Sequence, residues 1–171
     1  MRLREKVETS ANVAVIGVAV LLSAVLIKVY FLPPRAQSNP RVADATAVGT
    51  SLKGRIQGVD WKKNGRTLVL AISTQCHFCK VSTPFYRKVR AELKTLRTIA
   101  VVPQPANEAE QYLKDEGVRV DQVKQASLGD IGVRGTPTLL LVNSAGVVTN
   151  VWVGKLQPDQ EQQVLAALRK G

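Results

Sequence analysis

Residues 67–79 read TLVLAISTQCHFC, and this stretch decides the fold. Its first part, Thr67–Ser73, is an apolar run rich in branched side chains, which predicts a central strand buried on both faces. Two cysteines follow, and beyond them apolar residues recur at intervals of three and four, as on one face of a helix: Val81, Phe85, Val89, Leu93 and Leu96. The pair Cys76 and Cys79 is therefore predicted to lie where a buried strand passes into a helix.

Strands and helices alternate through the rest of the chain. After a first helix from Cys79 to about Thr98, we predict a strand at 99–102, a helix from Asn107 to Glu116 and a strand or extended segment around 118–123. Strands at 138–142 and 147–153 and a last helix from about Pro158 follow. Asn107 and Glu110 have the spacing of a helix-capping pair, and residues 143–146 (NSAG) suit the turn of a hairpin. The pattern predicts an α/β fold in which helices flank a mixed central sheet.

The first part of the chain differs in composition from the rest. After a short tail at 1–10, residues 11–32 are almost entirely apolar and exceed the roughly 20 residues that cross a bilayer, which predicts a transmembrane signal-anchor helix. Residues 33–47 are rich in proline and small polar residues and are predicted to be a flexible linker. The folded domain is predicted to occupy residues 48–171.

The alternative for residues 11–32 is a cleaved secretory signal, but such signals have apolar regions of only about 7–15 residues. Basic residues are nearly balanced across the span, with three before it and two after it: Arg2, Arg4, Lys6, Arg35 and Arg41. An anchor at the N-terminus usually leaves its short end in the cytoplasm. We therefore expect a single-pass membrane protein with its domain on the periplasmic or other extracytoplasmic side.

The bulk composition narrows the function further. The chain of 171 residues carries a net charge of +11, yet aromatics are only 5% of it and no nucleic-acid-binding motif occurs. The charge therefore indicates a basic surface that faces anionic lipid or an acidic partner. We do not expect the protein to bind nucleic acid. The two cysteines are too few for a stapling disulfide framework.

The spacing of Cys76 and Cys79 suits thiol chemistry. At a helix N-terminus the amides and the helix dipole stabilise a thiolate on Cys76, which can attack a disulfide, while Cys79 resolves the resulting mixed disulfide. A structural zinc site needs four ligands, and covalent haem needs a histidine at position 80, where the chain has Lys80. We therefore predict a redox-active dithiol with no cofactor and no metal, the alternative being an inert pair of buried thiols.

These features together resemble the thioredoxin superfamily. Pro84, eight residues after the first cysteine, matches the proline of the family's kinked active-site helix, and residues 132–141 (GVRGTPTLLL) look like its cis-proline loop. The resemblance implies that Pro137 is cis and lies beside Cys76, with the backbone of Thr136 contacting substrate. Taken alone, Pro137 could equally be an ordinary trans turn proline.

Gly154 is similar in position to a family glycine near the dithiol, where a side chain would obstruct the partner; a simple strand-ending turn is the alternative. The resemblance covers about residues 48–171. The anchor, the linker and an extra helix at 106–117 look most like the TlpA/ResA-type membrane-tethered branch. That branch implies a thiol:disulfide oxidoreductase whose partners are protein thiols or disulfides and an electron donor or acceptor protein.

Two residues depart from the thioredoxin pattern. Leu70 stands where thioredoxins carry a buried acid that helps to deprotonate the second cysteine, and Gln75 replaces the usual tryptophan. His77 and Phe78, between the cysteines, are the candidate tuning residues. A protonated His77 would lower the pKa of Cys76 and make the pair more oxidising, or it could be an exposed turn residue of little effect.

Two other functions stay open at this point. Peroxiredoxins carry a hydroxyl residue three before the reactive cysteine, as Ser73 does, but also a proline seven before it, where this chain has Val69. The third possibility is a thioredoxin-fold binding or assembly module whose cysteines are incidental or bind copper.

Overall fold

The computed structural model describes residue 23 and residues 46–170 of the chain. The predicted tail at 1–10 and, apart from Ser23, the predicted transmembrane helix at 11–32 lie outside the described residues, as does most of the predicted linker at 33–47. Within the part that is described, no helix is both long enough and apolar enough to cross a membrane.

The described chain contains five helices and five strands. In chain order they are α1 (Trp61–Asn64), β1 (Thr67–Ala71), α2 (His77–Val81), α3 (Thr83–Glu92), β2 (Arg97–Val102), α4 (Ala106–Asp115), β3 (Gln122–Gln125), β4 (Thr138–Val142), β5 (Val148–Val153) and α5 (Pro158–Arg169).

All five strands form one sheet in the order β3-β2-β1-β4-β5. Strand β1 pairs in parallel with β2 and antiparallel with β4, so it lies at the centre, and all five of its residues are buried. Strand β3 is parallel to β2, and β5 is antiparallel to β4. The predicted α/β class with a mixed central sheet is confirmed.

Alternate residues of β1 serve two separate cores. Leu68 and Leu70 face a core built from α3, α4 and α5, whereas Val69 and Ala71 face a second core. That second core is closed by Trp61 of α1, by the segment before it and by the loop between β3 and β4. Helices therefore cover mainly one face of the sheet, and irregular segments cover the other.

The first helix differs from its prediction. Instead of one kinked helix to about Thr98, the chain forms α2 and α3, separated at Ser82, and α3 ends at Glu92. Pro84 lies in the first turn of α3, where its missing N–H costs no hydrogen bond, so it starts a helix here. Leu93 and Leu96 keep the apolar spacing because they cover the same core from a turn.

Two further boundaries were predicted wrongly. Helix α4 begins at Ala106 after Pro105, with no side-chain cap, so Asn107 is not the residue that caps it. The strand or extended segment predicted around 118–123 is a strand only from Gln122 to Gln125, and before it the N–H of Val118 bonds to the Leu113 carbonyl and closes the end of the helix. The hairpin strands and α5 lie close to where they were predicted.

The turn of the β4–β5 hairpin packs against the segment before β1. Gly146 has a φ of +73°, and a Cβ there would lie 2.9 Å from both Lys53 Cγ and Trp61 Cδ1. Both the backbone conformation and the close packing therefore require glycine at this position.

We expect Gly146→Ala to lower the free energy of unfolding by about 2 kcal/mol, through left-handed strain and displacement of Trp61. The matched control is Gly135→Ala, where an added Cβ meets nothing within 4 Å. Urea unfolding of both variants measures the difference. Equal stabilities would show that the turn does not depend on glycine.

Candidate active site

Cys76 lies at the start of α2, just after the central strand. It is the N-cap residue of that helix, and its Sγ accepts a hydrogen bond from the Cys79 N–H at 3.2 Å. Both cysteines are free thiols; Cys76 is half-buried, whereas Cys79 is fully buried. The sulfur that solvent can reach is thus the one at the positive end of the helix.

Gln104 holds the loop between β1 and Cys76. Its amide nitrogen donates to the Ser73 hydroxyl at 2.8 Å, and its carbonyl oxygen accepts from the Thr74 N–H at 3.3 Å. The Cys76 N–H in turn donates to the Ser73 carbonyl at 3.2 Å. Gln104 follows β2, and the pairing of β2 with β1 brings it to the cysteine loop. The sequence around Gln104 therefore gives no sign of this role.

The pKa of Cys76 is lowered although the thiol is partly buried. Burial raises it, but hydrogen bonds from the side chains of Cys79 and Thr136 and from the backbone at Cys79 and Phe78 lower it by more. Cys76 consequently carries a larger thiolate fraction at neutral pH than an ordinary cysteine.

Cys79 has the opposite behaviour. Burial, followed by its hydrogen bond with Cys76, raises its pKa to about 12. The two thiols therefore differ in both accessibility and charge, which gives Cys76 the role of attacking sulfur and leaves Cys79 protonated until a mixed disulfide forms.

The loop containing Pro137 lies against the dithiol, as the resemblance implies. The Thr136–Pro137 peptide bond is cis, and the Thr136 carbonyl accepts a hydrogen bond from Cys76 Sγ at 3.4 Å. The Gly154 N–H donates to the Pro137 carbonyl at 2.7 Å. The structure thus places the Thr136 carbonyl at Cys76 and Gly154 at the neighbouring Pro137 carbonyl, while their contact with substrate stays a prediction.

The side chain of Thr136 also acts on the dithiol, since it lowers the pKa of both Cys76 and Cys79. The sequence prediction gave Thr136 only a backbone role. Gly154 has a φ of +85°, and a Cβ there would meet nothing within 4 Å. The positive φ therefore explains why position 154 is glycine, because an added Cβ would meet no neighbouring atom.

His77 and Phe78 are both exposed in the first turn of α2, with their rings edge to face at 5.6 Å. The groups that set the Cys76 pKa come from Cys79, Thr136 and the Phe78 backbone. The tuning role of the two side chains stays a prediction.

Leu70 is buried, so the position of the family acid is apolar in this chain. Two buried tyrosines lie within electrostatic reach of Cys79: burial and then Cys79 raise the pKa of Tyr86, while burial, Glu116 and then Cys79 raise the pKa of Tyr112 to about 12. Sequence reasoning missed both residues, because Tyr112 reaches the site from α4 and only the sheet places that helix beside α3.

Comparison with known proteins agrees with this geometry. Residues 60–169 match the family model of the thioredoxin-like domain. The chain belongs to the thioredoxin-like family. The predicted thioredoxin superfamily is therefore confirmed. The predicted enzyme class, a thioredoxin-like oxidoreductase, agrees with this family. No curated protein sequence matches the chain.

Several solved structures are similar to this chain, and the first two below share its fold. The thioredoxin domain of a thiol-disulfide oxidoreductase from Bacteroides vulgatus is 17% identical, with a TM-score of 0.53, and the match covers 72% of this chain and 96% of that one. A thiol-disulfide isomerase from Corynebacterium glutamicum is 13% identical, with a TM-score of 0.53, over 72% and 93% of the two chains. A thiol:disulfide interchange protein from Chlorobium tepidum is 20% identical, with a TM-score of 0.49, over 75% and 97%.

The Thr136 side chain gives a test of this electrostatic arrangement. In Thr136→Val the pKa of Cys76 should rise, because one stabilising hydrogen bond to the thiolate is lost. Since only the thiolate reacts, alkylation of Cys76 by iodoacetamide should slow at neutral pH and recover its plateau at high pH. Rates measured by mass spectrometry across pH 5–10 locate the midpoint.

The matched control is Thr149→Val, whose hydroxyl bonds to the Leu141 carbonyl. It should titrate like the parent, and Cys79 should stay unlabelled at neutral pH in every variant because its pKa is about 12. An unchanged midpoint in Thr136→Val would contradict the role given to that side chain.

Proposed function

We propose that this chain is a membrane-tethered thiol:disulfide oxidoreductase that exchanges the Cys76/Cys79 dithiol with protein substrates on the extracytoplasmic side. The observation that carries the proposal is the asymmetry of the two sulfurs. An accessible thiol of lowered pKa at a helix N-terminus lies one turn from a buried thiol of raised pKa.

The reaction follows from that asymmetry. The Cys76 thiolate attacks one sulfur of a substrate disulfide, forming a mixed disulfide and releasing a substrate thiolate, which takes up a proton. Cys79 then loses its proton and attacks Cys76 Sγ. The Cys76–Cys79 disulfide forms, the second substrate thiolate leaves, and two electrons have passed to the substrate. The reverse sequence oxidises a substrate dithiol.

The surface around Cys76 favours a protein as the substrate. Phe78 is 56% exposed and Val153 is 52% exposed, and Val153 pairs in the sheet with Thr138, next to the Pro137 loop. Exposed apolar side chains beside a nucleophile suit an extended polypeptide segment better than a small polar molecule.

The environment of Ser73 favours disulfide exchange over peroxide reduction. Its hydroxyl accepts hydrogen bonds from the Gln104 amide and from the Gln75 N–H, so it stabilises the loop before Cys76.

Membrane tethering rests on the apolar residues 11–32 and on the proline-rich residues 33–47 that follow. The balance of basic residues does not oppose an extracytoplasmic domain.

Trapping tests the exchange reaction. Cys79→Ser should accumulate mixed disulfides with protein partners, since the resolving sulfur is gone, whereas the matched Cys76→Ser should trap none. Non-reducing gels of cells expressing each variant, followed by mass spectrometry, read out the adducts. Trapping by Cys76→Ser alone would reverse the two roles, and trapping by neither would contradict the proposal.

Tethering is tested separately. The chain starting at residue 33 should move from the membrane fraction to the soluble fraction, and a C-terminal alkaline phosphatase fusion to the full chain should be active. A matched fusion to a reporter that works only in the cytoplasm should be inactive. Activity of the cytoplasmic reporter would overturn the orientation.

A further inference from the structure

The loop that carries the dithiol is held by a side chain from outside it. After β1 ends at Ala71, the Ile72 N–H still bonds to the Val101 carbonyl at 3.1 Å, but residues 73–75 belong to neither strand nor helix. Cys76 follows directly as the N-cap of α2. The placement of its sulfur therefore depends on what fixes these three residues.

Gln104 fixes the loop through both ends of its amide. The nitrogen donates to Ser73 Oγ at 2.8 Å, and the oxygen accepts from the Thr74 N–H at 3.3 Å. Because the amide is planar, bonds from its two ends to neighbouring residues fix the loop in orientation as well as in position. Gln104 itself lies two residues after β2, whose pairing with β1 is parallel. It therefore connects the loop to the end of the neighbouring strand.

Ser73 connects Gln104 with the backbone of Cys76. Besides the bond from the Gln104 amide, its hydroxyl accepts from the Gln75 N–H at 3.3 Å, and its carbonyl accepts from the Cys76 N–H at 3.2 Å. The side chain and the main chain of Ser73 are thus both bonded within the loop. A shift of Ser73 would therefore move Cys76 with it.

The contacts of the Cys76 sulfur leave little room for such a shift. Its Sγ accepts a hydrogen bond from the Cys79 N–H at 3.2 Å and donates one to the Thr136 carbonyl at 3.4 Å. Reactive groups work only when they are held within about 0.5 Å of their productive geometry. The position of the loop therefore decides whether the sulfur keeps these partners.

We propose that Gln104 is a positioning residue of the exchange reaction and, through Ser73, holds the Cys76 sulfur among its hydrogen-bond partners. The inference rests on the proposed function and adds a residue to the site that performs it. Cys76 is the sulfur that joins the substrate in both directions of exchange, so the same contacts support reduction and oxidation. Gln104 itself takes up and releases no proton or electron.

Alkylation of Cys76 in the full chain across pH 5–10 tests the inference. In Gln104→Leu the loop loses both bonds, the sulfur loses partners that stabilise its thiolate, and the pKa of Cys76 should return towards its ordinary, higher value. The midpoint of iodoacetamide labelling should therefore move upward. At pH 7 the rate should fall about fivefold, while the plateau at high pH is kept.

Ser73→Ala tests the path through Ser73. It removes the hydroxyl to which Gln104 donates, so its labelling midpoint should also move upward. The double variant Gln104→Leu/Ser73→Ala should react at about the rate of Gln104→Leu alone, because the effects of residues that act through one contact do not add. Should Gln104→Leu fail to fold, an unchanged midpoint in Ser73→Ala overturns the inference.

The matched control is Gln111→Leu, whose amide donates to Asp115 Oδ1 at 2.7 Å within α4. Its labelling curve should equal that of the parent. The titratable and charged groups on the elements around Cys76 are unchanged in every variant: Cys79, His77 and Lys80 on α2, Tyr86 on α3, Tyr112 on α4 and Arg134 before β4. A shifted midpoint therefore reports the placement of the sulfur.

The outcomes separate this inference from the proposed function. A midpoint in Gln104→Leu equal to that of Gln111→Leu overturns the inference, and so does a rate lowered equally at every pH, which reports only reduced access to the thiol. Additive effects in the double variant exclude the path through Ser73 and overturn it as well. Independently, the reduced parent chain should release two nitrothiobenzoates from the coloured disulfide dithiobis-nitrobenzoate, and release of fewer contradicts the proposed function itself.

Discussion

The burial of strand β1 between two partners is the constraint on which the rest of this structure depends. Parallel pairing with β2 and antiparallel pairing with β4 leave β1 no exposed edge, and each face meets its own core. The residues that follow it must therefore emerge at the end of the sheet. This fixes Cys76 at a strand-to-helix junction, where the first amides of α2 point at its sulfur.

The same sheet delivers every other part of the site. Gln104 follows β2 and holds the loop before Cys76, while Thr136 and Pro137 precede β4 and lie against the sulfur. Gly154 follows β5 and bonds back to the Pro137 loop. Residues at the ends of β2 and β4 thus hold the cysteine loop and its sulfur, and Gly154 after β5 holds Pro137, because the strands that carry them are fixed in register.

The chemistry of the pair depends on unequal burial. Hydrogen bonds to Cys76 outweigh its partial desolvation, whereas at Cys79 desolvation dominates. A resolving cysteine held this firmly in its thiol form needs a route for its proton. The apolar Leu70 cannot provide one.

The amino-acid sequence by itself determined the α/β class, the central strand, the hairpin and the position of the dithiol, because these depend on local apolar spacing and on two cysteines close in the chain. It predicted the Pro137 loop through resemblance. It did not predict the break at Ser82 or the start of α4, since apolar periodicity continues through turns that cover the same core.

Only the tertiary structure decided which distant groups meet the sulfurs. Gln104 comes from a segment whose local sequence carries no sign of the site, yet it holds the loop before Cys76, and Tyr112 reaches the core around Cys79 from α4. The side-chain role of Thr136 and the difference in pKa between Cys76 and Cys79 have the same origin. Burial and hydrogen bonding are properties of the packed molecule, and they set the protonation of two residues that are chemically identical in the sequence.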